Sequence, residues 1–117
     1  MRYGARNVLG RALRPYGMSL GFFRDGFCRT NVSDGGAHVV AAVMTDRFLR
    51  FSRARGNDLI TPRGSFPGLR KGDRWCLCAL RWREAFEAGV APLVDLEATH
   101  EAALQYVTLE KLKSHAL

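Results

Sequence analysis

The chain is poor in cysteine, in long apolar runs and, over its first two thirds, in acid. Three cysteines, Cys28, Cys76 and Cys78, are an odd number with no secretory signal, which argues for free thiols in a reducing compartment. A cytoplasmic location is the resulting expectation. The apolar runs VVAAVM (39 to 44) and LCAL (77 to 80) fall far short of the roughly 18 residues a spanning helix needs. That excludes a spanning helix and predicts a soluble protein with no membrane partner. Common catalytic and nucleotide signatures are missing too: there is no G-x-x-x-x-G-K, G-x-G-x-x-G, H-E-x-x-H or G-x-S-x-G pattern, so nucleotide, zinc-protease and hydrolase readings gain no support and no cofactor is expected. The first acidic residue is Asp25. MRYGARNVLGRALRPYG therefore has the Arg-rich look of an organellar presequence, but its glycines and Pro15 break any amphipathic helix, and the segment reads as part of the domain.

What is present fits one domain spanning 1–117, with 47% hydrophobic and 10% aromatic residues to fill one core. Charge is lopsided. Residues 1–83 carry 16 basic and 5 acidic side chains, whereas 84–117 carry 2 and 6. Such asymmetry can mark a surface for nucleic acid or another anion. Against that, 15 of the 18 basic residues are arginines spread singly, which makes nucleic acid a possible but minor partner beside a small molecule or protein.

AHVVAAVM (37 to 44), bounded by Ser33-Asp34-Gly35-Gly36, reads as a buried central strand over 39–44. The spacing then predicts a helix over 46–55, with Thr45 as N-cap and Gly56 just past the end. Phe48, Leu49 and Phe51 share one arc of it, and Arg47, Arg50 and Arg53 form a stripe on the other. GNDLITPRGSFPGLRKGD (56 to 73) holds four glycines and two prolines; it is a candidate functional loop or a packed crossover. Residues 75–80 read as a second buried strand, with Trp75, Leu77 and Ala79 on one face and Cys76, Cys78 and Leu80 on the other. A helix over 82–88, stopped by Gly89, and a strand over 93–98 follow. Thr99 and Thr108 are candidate caps for two further helices, and pieces near Asn7–Leu13 and Gly21–Arg29 could add a hairpin. The pattern implies α+β: a single small domain with a mixed sheet of about three to five strands and short helices packed on it, or a small three-layer α/β fold.

NVLG (7 to 10), GFFRDGFC (21 to 28), HVVAAVMT (38 to 45), RGNDLITP (55 to 62), FPGLRKGDRWCLCALRW (66 to 82), EAGVAP (87 to 92) and LEATHEAAL (96 to 104) together resemble the bacterial family catalogued as domain of unknown function 2237. The resemblance spans almost the whole chain. It implies no reaction, ligand or cofactor. It does imply further cysteines near Tyr16, at Phe27 and at Ala41, and a longer connection between Thr61 and Phe66; this chain has neither, so Cys28, Cys76 and Cys78 are the thiols left for any chemistry.

Cys76-x-Cys78 on one strand face sets two sulfurs roughly 6–7 Å apart at Cα, which permits joint metal ligation but would strain a disulfide between them. Cys28 and His100, or His38, could complete a tetrahedral set. The same residues could make a thiol-dependent enzyme. Free cysteine is nonetheless among the most buried residue types, and the WCLC stretch reads mainly as the inside of a strand. His100, in the first turn of a predicted helix, should be held neutral by the dipole, as a base or ligand would need. His38 opens the buried strand as a core or edge histidine, and His115 sits where a helix C-terminus favours a cation. Arg24-Asp25-Gly26 and Gly56-Asn57-Asp58 are turn sequences that could line a ligand pocket beside the long loop, with Arg63 as an anion-binding candidate. The resulting expectation is a small ligand- or partner-binding domain, with a Cys/His-dependent enzyme as the alternative.

Overall fold

In a computed structural model, residues 5–17, 20–21, 23–30 and 37–117 are described. The chain is α+β. In order it forms β1 (His38–Val43), α1 (Asp46–Ala54), β2 (Arg74–Cys78), α2 (Ala79–Glu87), β3 (Leu93–Val94), two 3-10 turns (Leu96–Ala98 and Glu101–Gln105) and α3 (Leu109–Lys113). The sheet order is β2-β1-β3, and both neighbours run antiparallel to β1. A parallel bridge joins Val94 to Ala116, where the Val94 N–H donates to His115 (2.8 Å) and the Leu117 N–H to Val94 (3.0 Å). Residues 115–117 thereby cover the outer edge of β3.

β1 is central because four of its six residues, Val39 to Ala42, are wholly buried. Its neighbouring residues face two different cores. Val40 and Ala42 join Leu77, Val94, Phe48 and Trp82 in the larger one, on the side covered by α1 and α2. Ala41 faces a smaller one with Tyr16, Cys28, Cys76 and Ala98. The lid over this smaller core comes from Tyr16 and Cys28 of the N-terminal segment, which among the described residues forms no helix or strand. Asn7, itself buried, organises that segment: its Oδ1 accepts from the Leu9 and Arg11 N–H groups (2.9 and 3.1 Å), and its Nδ2 donates to the Glu97 carbonyl (3.0 Å). Asn7–Leu13 is thus a tight bend with an isolated Arg6–Ala12 bridge, and residues 23–27 form turns and bends instead of the hairpin anticipated there.

α1 matches its expected span. The Thr45 hydroxyl accepts from the Phe48 N–H at 3.1 Å, and Phe48, Leu49 and Ser52 are buried while Arg47, Arg50 and Arg53 stay exposed. α2 starts earlier than expected. Strand pairing ends with Cys78 opposite His38, and Ala79, Trp82 and Ala85 then supply a buried stripe at helical spacing, so Ala79 and Leu80 are helical and Leu80 is exposed instead of extending the cysteine face. The strand expected over 93–98 stops at Val94, because the Asp95 carboxylate accepts from the Glu97 N–H (3.1 Å) and folds the next residues into a 3-10 turn.

Thr99 does not cap the turn that follows. It is fully buried; its hydroxyl accepts from the Ala41 N–H (3.1 Å) and donates to the Asp95 carbonyl (2.8 Å), stitching β1 to the chain beyond β3. His100 is the cap in its place: Nδ1 accepts from the Ala102 N–H at 2.9 Å. Thr108 does cap α3, through the Lys111 N–H.

Candidate functional site

Cys28 and Cys76 are joined in a disulfide, with 5.2 Å between their Cα atoms, and Cys78 is the free thiol. This corrects the expectation of three free thiols. It also dissolves the alternative metal set of Cys28, Cys76, Cys78 and His100, because two of its sulfurs are bonded to each other; among the described residues no group of three or more His, Cys, Asp or Glu side chains is placed to hold a metal ion. The pairing missed in the sequence joins a loop residue to a strand residue 48 positions away. Cys76 turns into the smaller core because it lies opposite Ala41 on β1, and the N-terminal segment carries Cys28 to the same place.

A cleft of about 220 Å³ opens beside this bond, lined by Gly21, Arg24, His38, Trp75 and Cys76. Trp75 and Cys76 are consecutive strand residues and so point to opposite sides of β2, which places the cleft at the sheet edge. Gly21 and Arg24 form the far wall. Gly21 lies at φ +91° with its Cα against the Phe27 carbonyl: a Cβ there would stand 2.1 Å from that oxygen, so this close approach requires glycine. Arg24 also takes a left-handed backbone, φ +58°, at a cost of roughly 1–2 kcal/mol for a residue with a Cβ. Its guanidinium carbon lies 6.0 Å from the Trp75 ring centroid, at the outer limit of a cation–π contact. The side chain is exposed on the cleft rim.

Asp25 is a turn residue. Its carboxylate accepts from the Phe27 N–H (3.1 Å) and pairs with Arg29 at 2.7 Å. Burial pulls its pKa upward, but the hydrogen bonds from Arg29 and the Phe27 N–H, together with the Arg29 charge, outweigh that and hold it below the usual carboxylate value. His100 is half-buried, and burial lowers its pKa, with Arg29 adding to the effect and Glu101 opposing it. The neutral imidazole expected from the sequence follows, through burial, and its Nδ1 lone pair is already used as a cap.

Asn57, Asp58 and Arg63 form a separate structure. The Asp58 carboxylate accepts from the Ile60 and Thr61 N–H groups (2.9 and 3.1 Å). The Thr61 hydroxyl hydrogen bond, with these two amides, takes its pKa down to about 2. Arg63 donates to the Asp58 carbonyl. The Ser52 hydroxyl donates to the Asn57 carbonyl at 2.8 Å. Leu59 and Leu69 are buried and hydrogen-bonded to each other (2.8 Å), so the 56–73 loop is a packed crossover. Of the proposed ligand-binding residues, Arg24 alone lines the cleft; it is joined there by Trp75 and Gly21, whose sequence context signals only strand and turn, by His38, a strand histidine also considered as a metal ligand, and by Cys76. His115 packs edge-on against Trp82 and Phe86.

Tyr16, in the smaller core with the disulfide, is 3% exposed, and its hydroxyl has no hydrogen-bond partner among the described residues. Burial pushes its pKa up to about 12; the Arg74 charge opposes the shift and Asp95 adds to it. The Arg74 guanidinium lies 5.3 Å from the Tyr16 ring centroid and donates to the Tyr16 carbonyl at 3.0 Å.

These features define a small α+β domain with a basic, aromatic-walled cleft beside a buried disulfide. The chain belongs to the family described as an uncharacterized protein conserved in bacteria, domain of unknown function 2237, whose profile matches residues 6–116. No curated protein matches the chain. Among the described residues, no helix is long and apolar enough to cross a membrane.

Proposed function

We propose that the protein binds a small planar anion in the cleft at the edge of β2. One observation carries the reading: Arg24 is held in a left-handed backbone on the rim, facing the half-buried indole of Trp75, with His38 in the same lining. Non-glycine residues persist in such a conformation where surrounding structure imposes it, and this is common at ligand clamps. A guanidinium recognises carboxylate or phosphate, and an indole face stacks on a flat body. Size points the same way, since cavities of about 150 Å³ suffice for benzene and this cleft measures about 220 Å³. A single ring bearing one acidic group fits those dimensions.

The test uses Trp75 fluorescence, since Trp82 is fully buried with its indole N–H donating to the Pro92 carbonyl. Benzoate should quench saturably, its neutral analogue benzamide more weakly, and Arg24→Ala should weaken benzoate at least tenfold while sparing benzamide. Equal responses to both compounds, or an unchanged response in Arg24→Ala, would remove the anion reading. A cytoplasmic location belongs to this proposal only if the disulfide is exchangeable, because cytosolic disulfides are usually transient, catalytic or redox-sensing.

A further inference from the structure

We propose that the Cys28–Cys76 disulfide is a reversible redox centre which exchanges with small thiols entering the cleft, Cys76 being the sulfur attacked and Cys28 the one released. Two independent features support this. The first is access: Cys28 is 0% exposed and away from the cleft, whereas Cys76, though only 3% exposed, contributes to the cleft lining, so the cleft offers an incoming sulfur a path to one partner of the bond and none to the other. The second is the orphaned Tyr16 hydroxyl. It lies in the same buried cluster as Cys28 and Cys76, and a buried donor without an acceptor is rare enough to require a reason. A disulfide is a poor acceptor. A thiolate is a strong one, so breaking the bond supplies the partner that the oxidised state withholds. The Arg74 guanidinium against the Tyr16 ring adds positive charge near the same place, and burial keeps the phenol protonated, as a donor must be.

The chemistry balances with a low-molecular-weight thiol as reductant. Its thiolate attacks Cys76 Sγ; the Cys76–Cys28 bond breaks, its electron pair leaves on Cys28 Sγ, and a mixed disulfide forms at Cys76. The Tyr16 O–H then donates to the Cys28 thiolate. A second thiolate attacks the small molecule's own sulfur, expelling Cys76 as a thiolate; Cys76 takes a proton from water, while Cys28 stays a thiolate held by the Tyr16 hydroxyl. Two electrons have moved, and the products are the Cys76 thiol, the Cys28 thiolate and the small-molecule disulfide.

The inference goes beyond anion binding and does not depend on it, because an uncharged thiol serves as the probe. Folded protein is treated with 2-mercaptoethanol in the absence of denaturant, quenched with an alkylating reagent and mapped by mass spectrometry. The expected intermediate is a mixed disulfide on Cys76 with alkylated Cys28, and Tyr16→Phe should make reduction less favourable by roughly tenfold, the value of a hydrogen bond to a charged group. Tyr16→Phe should raise the oxidised protein's denaturation midpoint and not lower it, since it removes a buried donor that bonds to nothing there; that separates a redox role from a packing role. A bond that opens only when the protein unfolds, an adduct on Cys28 or on Cys78 alone, or an unaltered equilibrium in Tyr16→Phe overturns the proposal. Benzoate binding under non-reducing conditions is read separately, so either idea can fail alone.

Discussion

Removing the Cys28–Cys76 bond should cost far more stability than removing the Cys78 thiol. The bond closes a loop of 48 residues, and the chain-entropy relation for a loop that long gives about 4 kcal/mol at 25 °C. Cys28→Ala/Cys76→Ala should therefore lose about 4 kcal/mol in non-reducing urea denaturation, seen as a lower midpoint with an altered denatured-state slope. Cys78→Ala, at a half-buried site without a covalent partner, should lose on the order of 1 kcal/mol through packing. Domains of this kind have about 5–15 kcal/mol in hand, so the unlinked protein should remain folded at moderate temperature, as reversible exchange demands. Thiol titration of unfolded, unreduced protein gives an independent check, with one reactive thiol expected per chain from Cys78. Three thiols, or equal losses in the double variant and Cys78→Ala, would refute the reasoning.

Thr99→Val should cost roughly 2–3 kcal/mol by equilibrium denaturation, because it strands the buried Ala41 N–H and Asp95 carbonyl that the hydroxyl now joins; an unchanged midpoint would show that these groups find other partners. His100 has a folded-state pKa below the ordinary 6.5, so on acidification the unfolded chain takes up its proton first and stability falls from pH 6.5 down through the lowered folded value. His100→Asn keeps a capping side chain without titrating in that window and should flatten the slope, whereas an equally steep profile would assign it to other groups. Gly68→Ala should destabilise the 56–73 crossover, since its Cβ would meet the Ile60 carbonyl oxygen at 2.2 Å from a backbone at φ +82°, while Gly72→Ala, with nothing within 4 Å at φ +92°, bears the backbone strain alone; equal denaturation midpoints for the two would contradict the close approach.

Elements whose residues signal locally were legible in the sequence. β1 announces itself as an apolar run, and α1 through Thr45 and the separation of Phe48 and Leu49 from the arginines. Boundaries failed where a single side chain redirected the chain: the Asp95 carboxylate ended β3, and the helical spacing of Ala79, Trp82 and Ala85 took over two residues earlier than strand alternation suggested. A threonine before a polar turn has the composition of a cap, so the sequence points Thr99 to that role, and only the sheet register reveals that its hydroxyl completes β1. The candidate site was less legible still. Arg24 could be nominated from its turn, but Trp75 and His38 approach it only through β1–β2 pairing, and the Cys28–Cys76 bond is a contact between distant segments to which spacing within WCLC is blind.

The two cores on opposite faces of β1 imply two cooperative units of unequal strength. Helices, sheet and most of the large buried side chains, with Val8 of the N-terminal segment, form one, while Tyr16 and Cys28 pack with Ala41, Cys76 and Ala98 in the other. With the cross-link intact, opening of the 23–30 segment around Cys28 is tied to strand β2, and its amides should exchange with solvent in step with those of the strand. Once the bond is reduced, the segment can open on its own while the sheet stays closed. The redox state of one cysteine pair then sets whether Gly21 and Arg24 form a fixed wall of the cleft or a flap that breathes, and hydrogen exchange would register that state far from the sulfurs themselves.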